Sequence, residues 1–190
     1  MARVSLDLEN RGLLGRIVGW YSRRKFGKVL EPAAAMAHHR GVMMVTMRHE
    51  MAVRRKWTKL DPTLSQLAQG AAAAAVGCQW CMDFGYWHSI NEGTDPRKVE
   101  DIPRWRDSDA YTELERWVLE YAEAMSATPP AVTDELSAKL RDALGEARLV
   151  ELTGYVALEN FRGRFNDALG LRSQGLKAEC AVPARGTGTA

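Results

Sequence analysis

LDPTLSQLAQGAAAAAVGCQWCMDFG, residues 60–85, decides how the rest of the chain is read. Asp61 followed by Pro62 marks a helix start, because aspartate accepts from first-turn N–H groups and proline's fixed φ suits the first helical position. The alanines from Ala71 to Ala75 leave room for another backbone to come close. Gly77 ends this helix, and the next opens at Cys78 and Cys81 and runs to about Glu92, where Gly93 stops it. A Cys-x-x-Cys pair at a helix start has its sulfurs within bridging reach. Its first cysteine also lies beside N–H groups with no helical partner, which favour a thiolate. Three roles stay open for the pair: a working dithiol, part of a metal site, or two inert core residues. A zinc site is short of ligands, since four are needed, only His88 is near, and Cys180 is distant in sequence. Haem attachment is excluded, because Met82 rather than histidine follows Cys81.

Outward from this hairpin the chain reads as all-α, with no alternating run bounded by turn residues to mark a sheet. A first helix is expected over about 10–29, ended near Pro32. A Met-rich helix follows from Ala33 into the 50s, with Gly41 as a candidate break. Asp95 and Pro96 repeat the Asp-Pro start, and Thr112 with Glu115 forms a capping box. After the break ATPPAVTDEL, Thr133 caps a helix that Gly145 closes. A long helix then covers roughly 147–169, with Leu149, Leu152, Val156, Phe161, Phe165 and Leu169 as its expected buried stripe. The organisation read from this is one all-α domain over 1–180, followed by a small, polar, disordered tail, AVPARGTGTA, at 181–190.

Composition narrows the function classes. The chain has 190 residues, 46% of them hydrophobic, enough for a sizeable core in one domain. A net charge of +2 makes no case for a nucleic-acid partner. Arg11, Arg16, Arg23, Arg24, Lys25 and Lys28 lie between Glu9 and Glu31 with no acid among them. They are read as the wet face of an amphipathic helix packed on the body, in preference to a membrane-surface helix. No apolar run approaches the roughly 20 residues of a membrane span, and MARVSLDLEN lacks the pattern of a secretory signal. A cytoplasmic protein is expected, and in a reducing cytosol a close cysteine pair points to catalysis or metal rather than to a structural staple. Met36, Met43, Met44, Met47 and Met51 read as adaptable core or interface filling.

The opening stretch, together with ERWVLEYAEAMSATPP (115–130) and VELTGYVALENFRGRFNDALG (150–170), resembles the alkylhydroperoxidase D-like, carboxymuconolactone decarboxylase family over about 61–170. The resemblance implies an all-α helical bundle and assembly as trimers or hexamers of identical chains. In the family's redox branch the second cysteine attacks a hydroperoxide and the first resolves it, which here makes Cys81 the attacking thiol and Cys78 the resolving one. Such chemistry needs no metal or bound organic cofactor, but a reducing protein partner, lipoyl- or thioredoxin-like, must restore the dithiol. The helix dipole argues the other order, with Cys78 the more acidic thiol. The family's three proton-carrying positions hold Gln66, Trp80 and Gly85 in this chain. None of these moves a proton, and losing general acid–base help costs about 10²- to 10⁴-fold. A thiol-dependent oxidoreductase of low or specialised peroxidase activity is therefore expected.

Auxiliary candidates are His88, Gln66 and Asp83. His88 shares a helical face with Cys81 but stands roughly 10 Å along the axis, and Asp83 points elsewhere on that helix. Tyr86, Glu151 and Glu159 are further proton carriers to consider, with Arg162 placed to pair with Glu159. In ENFRGRFNDALG, the polar Asn160, Arg162, Arg164 and Asn166 are read as a subunit contact or capping network rather than an anchor for an acidic substrate. Cys180 is read as a free thiol, with service as a third redox partner the alternative. Two other functions stay open. One is a lactone decarboxylase-like enzyme whose arginines hold a small carboxylated substrate. The other is a non-catalytic oligomeric protein with a small-molecule pocket among Trp80, Phe84, Tyr86 and Trp87.

Overall fold

Local start and stop chemistry sets the elements. A computed structural model describes residues 1–8 and 12–180. Among them the regular structure is helical: α1 (Gly12–Phe26), α2 (Glu31–Met36), α3 (Arg40–Lys56), α4 (Pro62–Ala75), α5 (Gln79–Asn91), α6 (Pro96–Glu100), a 3₁₀ turn (Ile102–Asp107), α7 (Glu113–Ser126), α8 (Asp134–Leu144), α9 (Glu146–Ala168) and α10 (Leu176–Glu179). Asp61 caps α4 by accepting from the N–H groups of Thr63 and Leu64 at 2.8 and 3.3 Å. The capping box of α7 closes both ways, since Glu115 N–H donates to Thr112 Oγ1 at 3.3 Å and Thr112 N–H to Glu115 Oε2 at 2.8 Å. Thr133 caps α8 through the Leu136 N–H at 3.2 Å.

Two boundaries differ from the sequence reading. Gly27, at φ +73°, ends α1 early, and Pro32 lies in the first turn of α2 instead of terminating α1. The Met-rich segment breaks before Gly41, because His39 leaves helical geometry and its Nδ1 accepts from the Val42 N–H at 3.2 Å to cap α3. The expected tail at 181–190 and the start of the first helix at 10 and 11 lie outside the described residues.

Helix α4 is central, packed on α5, α7 and α9. Its alanines serve this position: Ala68, Ala72 and Ala73 are completely buried, and short side chains let three helices close on one. Its own Leu67 and the surrounding Val118, Leu119, Leu140, Leu152 and Val156 form the main core, each contributing about 1.5–3 kcal/mol by burial. A second cluster gathers Leu30, Ala73, Trp80 and Leu176 about the cysteine pair.

Helix α9 departs from its expected stripe. Leu152 and Val156 are buried, but the second half turns Glu159, Gly163 and Asn166 inward. Phe161 is 49% exposed and lies beside half-buried Phe165 with ring centres 6.3 Å apart. Close approach decides this: a Cβ at Gly163 would stand 2.6 Å from Val76 Cγ2 and 3.4 Å from Cys78 Cβ, so only a glycine-bearing face fits there. Among the described residues no helix is long and apolar enough to cross a membrane.

Candidate active site

The α4–α5 turn builds the site. Gly77 takes φ +72°, and the Cys78 N–H returns to the Ala73 carbonyl at 3.0 Å. Cys78 is thereby left extended as the N-cap of α5, where its Sγ accepts from the Cys81 N–H at 3.1 Å. One helical turn brings the two Cα atoms to 5.2 Å, and the sulfurs are joined as a disulfide. Both residues are sealed, at 2% and 5% exposure. Among the described residues no group of three or more His, Cys, Asp or Glu side chains is placed to hold a metal ion.

Two walls and a strap enclose the sulfurs. From α9, Asn166 Nδ2 lies 3.5 Å from Cys81 Sγ and 3.9 Å from Cys78 Sγ. Along α5, Trp80 stacks on Phe84 with centres 5.0 Å apart, and Phe84 on His88 at 5.9 Å. Phe26 of α1 meets Phe84 and Trp87 edge-on at 5.8 and 5.7 Å. The strap is the segment after α9, which carries fully buried Leu176 onto the cluster. Gln174 ties it down: its Oε1 accepts from Trp80 Nε1 at 2.9 Å and from the Glu31 N–H at 3.0 Å, and its Nε2 donates to the Val29 carbonyl at 2.9 Å.

Asp83 is the other end of that fastening. Its buried carboxylate accepts from the N–H groups of Gln174, Leu176 and Lys177 at 2.8, 3.1 and 2.7 Å. Burial works against its charge, but these donors and the Ser173 hydroxyl together hold its pKa below the ordinary 3.8. Asp83 thus serves the strap through backbone donors. The strap's carboxylate anchor is complete above pH 3.8 and is lost as pH falls through the lower folded value. Asp83→Asn, which keeps the shape and removes the charge, should cost about 1–3 kcal/mol. Faster hydrogen exchange at the Leu176 and Lys177 amides, with global helicity unchanged, is the check.

The other sequence candidates fall at varying distances from this centre. His88 does share the α5 face, where its ring stacks on Phe84 at 5.9 Å. Burial pushes its pKa down, Glu92 opposes, and Arg54, Lys25 and Arg162 push it further down, so the imidazole is neutral at pH 7. Gln66 turns to Thr94, whose hydroxyl donates to its Oε1. Glu151 accepts from the N–H groups of Lys59 and Leu60, each at 3.1 Å, and fastens the turn before α4. Glu159 is buried and pairs with Arg162 at 3.0 Å, as its spacing implied. Burial pushes the Glu159 pKa up, and Arg162 opposes this only in part because its guanidinium is shared with Glu50 and Gln69. Tyr86 is raised by burial and Glu100, and its ring lies under Lys177 Nζ at 4.5 Å. Cys180 Sγ stands 4.0 Å from Asn91 Nδ2, at the far end of α5 from the pair.

Asn166 is the residue whose contact the sequence did not reveal. The polar run around it was visible, but not that one member would reach the sulfurs. The resulting arrangement is a covered disulfide whose sulfurs receive a backbone N–H and a neutral amide, and it suits two-electron thiol chemistry.

Comparison with known proteins agrees with this construction. Residues 41–124 match the carboxymuconolactone decarboxylase family. YnjA, an uncharacterized protein of Escherichia coli (strain K12), is 32% identical over 171 residues, covering 90% of this chain and 92% of that one. The debrominase Bmp8, solved as a cysteine-to-alanine variant in complex with 2,3,4-tribromopyrrole, has a TM-score of 0.78 at 16% identity, over 94% of this chain and 93% of its own. An uncharacterized peroxidase-related protein from Ralstonia eutropha JMP134, an alkylhydroperoxidase AhpD core, gives a TM-score of 0.71 at 16% identity, over 93% and 94%. At those identities the two structures speak for the helical fold. With the family match centred on the α4–α5 hairpin and a relative similar along nearly its whole length, the chain belongs to the carboxymuconolactone decarboxylase family.

Proposed function

We propose that this protein is a thiol-dependent oxidoreductase that cycles Cys78 and Cys81 between dithiol and disulfide and reduces hydroperoxides. The observation that carries this reading is the bond between the two sulfurs across the first turn of α5. In the forward step the Cys81 thiolate attacks the terminal peroxide oxygen. The O–O bond breaks, the alkoxide takes a proton and leaves as the alcohol, and Cys81 becomes a sulfenic acid. Cys78 then attacks the Cys81 sulfur, water leaves, and the disulfide closes. Two electrons from a reducing dithiol partner, lipoyl- or thioredoxin-like, restore the starting state.

Burial bears on both partners. A small peroxide needs a narrower opening than a protein dithiol, so regeneration requires the Gln174 strap to yield further than oxidation does. With Gln66, Trp80 and Gly85 unable to move protons, turnover is slower than that of a relay-equipped enzyme by about 10²- to 10⁴-fold. Leu13, Ile17 and Trp20 on α1, with Val45 and Met51 on α3, are exposed, and this supports assembly of identical chains, trimers or hexamers by family resemblance.

The likeness to a debrominase supports a second use of the same dithiol: replacing an aromatic halogen by hydrogen, with the two sulfurs oxidised to the disulfide and hydrogen halide released. Trp80 and Phe84, packed in the apolar cluster around the pair, supply apolar surroundings for such a substrate. One experiment tests both. Reduced protein is mixed separately with cumene hydroperoxide and with 2,3,4-tribromopyrrole, and thiol loss is followed with product. One alcohol formed per disulfide closed supports peroxide reduction. Bromide release alone favours dehalogenation, and a pair that never closes sinks the oxidoreductase reading.

A further inference from the structure

We infer that Asn166 is a catalytic residue whose side-chain amide holds the Cys81 sulfur as a thiolate and so makes Cys81 the attacking thiol. This rests on the oxidoreductase reading above and names the group that activates its nucleophile.

The two sulfurs have different donors. Cys78 Sγ receives the Cys81 N–H at 3.1 Å, and Asn166 Nδ2 is 3.9 Å away. Cys81 Sγ has Asn166 Nδ2 closer, at 3.5 Å. The helix start therefore serves Cys78, whereas α9 serves Cys81. Position is not incidental. Asn166 is only 2% exposed, its backbone carbonyl accepts from the Leu171 N–H at 2.9 Å, and Gly163 allows α9 to lie against Cys78.

The energetics favour one redox state. An amide buried among apolar groups is costly unless its hydrogens are accepted, and a disulfide sulfur accepts weakly. A thiolate accepts strongly, because a hydrogen bond to an ionised partner is roughly twice as strong as a neutral one. Asn166 is thus better matched to the reduced, ionised pair than to the disulfide. It lowers the Cys81 pKa, and by stabilising the reduced form it raises the pair's reduction potential. A neutral amide cannot take the thiol proton, so it assists attack without replacing the missing relay. This fits an enzyme with a ready nucleophile and slow proton delivery.

The test uses the full chain with Asn166→Leu and, as a near-isosteric second variant, Asn166→Asp. Ultraviolet thiolate absorbance of the reduced proteins is followed against pH, and iodoacetamide labelling of Cys81 is located by mass. Asn166→Leu should lower the Cys81 thiolate population and labelling rate at neutral pH by about tenfold. Asn166→Asp should lower both further, since a carboxylate repels the thiolate, and it decides the matter if the leucine variant fails to fold. Unchanged Cys81 ionisation in a folded variant overturns the assignment. The two claims fail separately: wild-type protein that never closes its disulfide refutes the oxidoreductase reading, whereas cycling wild type beside an unaltered variant refutes only the role of Asn166.

Discussion

Cys81→Ser protein should reduce no hydroperoxide, while Cys78→Ser protein should consume one equivalent per chain and stop. The asymmetry follows from the order of steps. With Cys81 gone, the remaining thiol is the N-cap sulfur at the start of α5, lacking the closer approach of Asn166. With Cys78 gone, Cys81 still attacks, but its sulfenic acid has no neighbouring thiol to displace water. The next cysteine, Cys180, lies by Asn91 at the other end of α5 and does not substitute. An added small monothiol should therefore rescue multiple turnovers in Cys78→Ser by forming a mixed disulfide, and should do nothing for Cys81→Ser. Alcohol produced per chain, measured in the first turnover and again with monothiol, is the readout. The reversed pattern would mean that the helix dipole at Cys78 outweighs the amide at Cys81. Activity surviving in both variants would place the chemistry away from the pair altogether.

What is legible in the sequence is whatever depends on near neighbours along the chain. Asp61 with Pro62, Thr112 with Glu115, and Gly77 before Cys78 each act within a turn, so the helices they bound can be drawn before any tertiary contact is known. The failures have tertiary causes. His39 caps α3 with a ring nitrogen, outside the usual set of capping residues. Phe161 and Phe165 read as core because they are apolar, yet α9 faces inward through Gly163, where the cost of a Cβ against Val76 and Cys78 overrides hydrophobicity. Asp83 turns away from the thiols as its spacing predicts, but its partners come from residues 174–177, about ninety positions later. Spacing puts His88 on the correct face and gives no sign that its ring packs on Phe84. Asn166 shows the same limit, since nothing local to α9 says which of four polar side chains will meet sulfur.

The half-buried guanidinium of Arg162 leads to the largest expected effect on stability. Its Nε donates to Glu50 Oε1 at 2.9 Å, and its Nη1 to Gln69 at 2.8 Å and Glu159 at 3.0 Å, while Nη2 closes a second bond to Glu50. One side chain thus ties α3 and α4 to α9. Arg162→Met would leave Glu159, only 6% exposed, without its countercharge, and breaking a buried pair from one side costs about 3–5 kcal/mol. Glu50 is freer to take up water, so the penalty is concentrated at Glu159. The pH dependence has a definite sign. The Glu159 carboxyl is already raised above its ordinary 4.5, and losing Arg162 raises it further. The folded variant then binds the extra proton between the unfolded and folded values, so its deficit is small in acid and grows as pH rises from about 4.5. Adding Glu159→Leu to Arg162→Met should recover most of the loss, because an apolar pair replaces a buried charge without its desolvation cost. Urea unfolding of wild type and the two variants on either side of that window measures this. A single variant costing less than about 1 kcal/mol, or a double variant no better than the single, would show that the guanidinium is solvated and that α3 is held by its buried Met43 and Val53 instead.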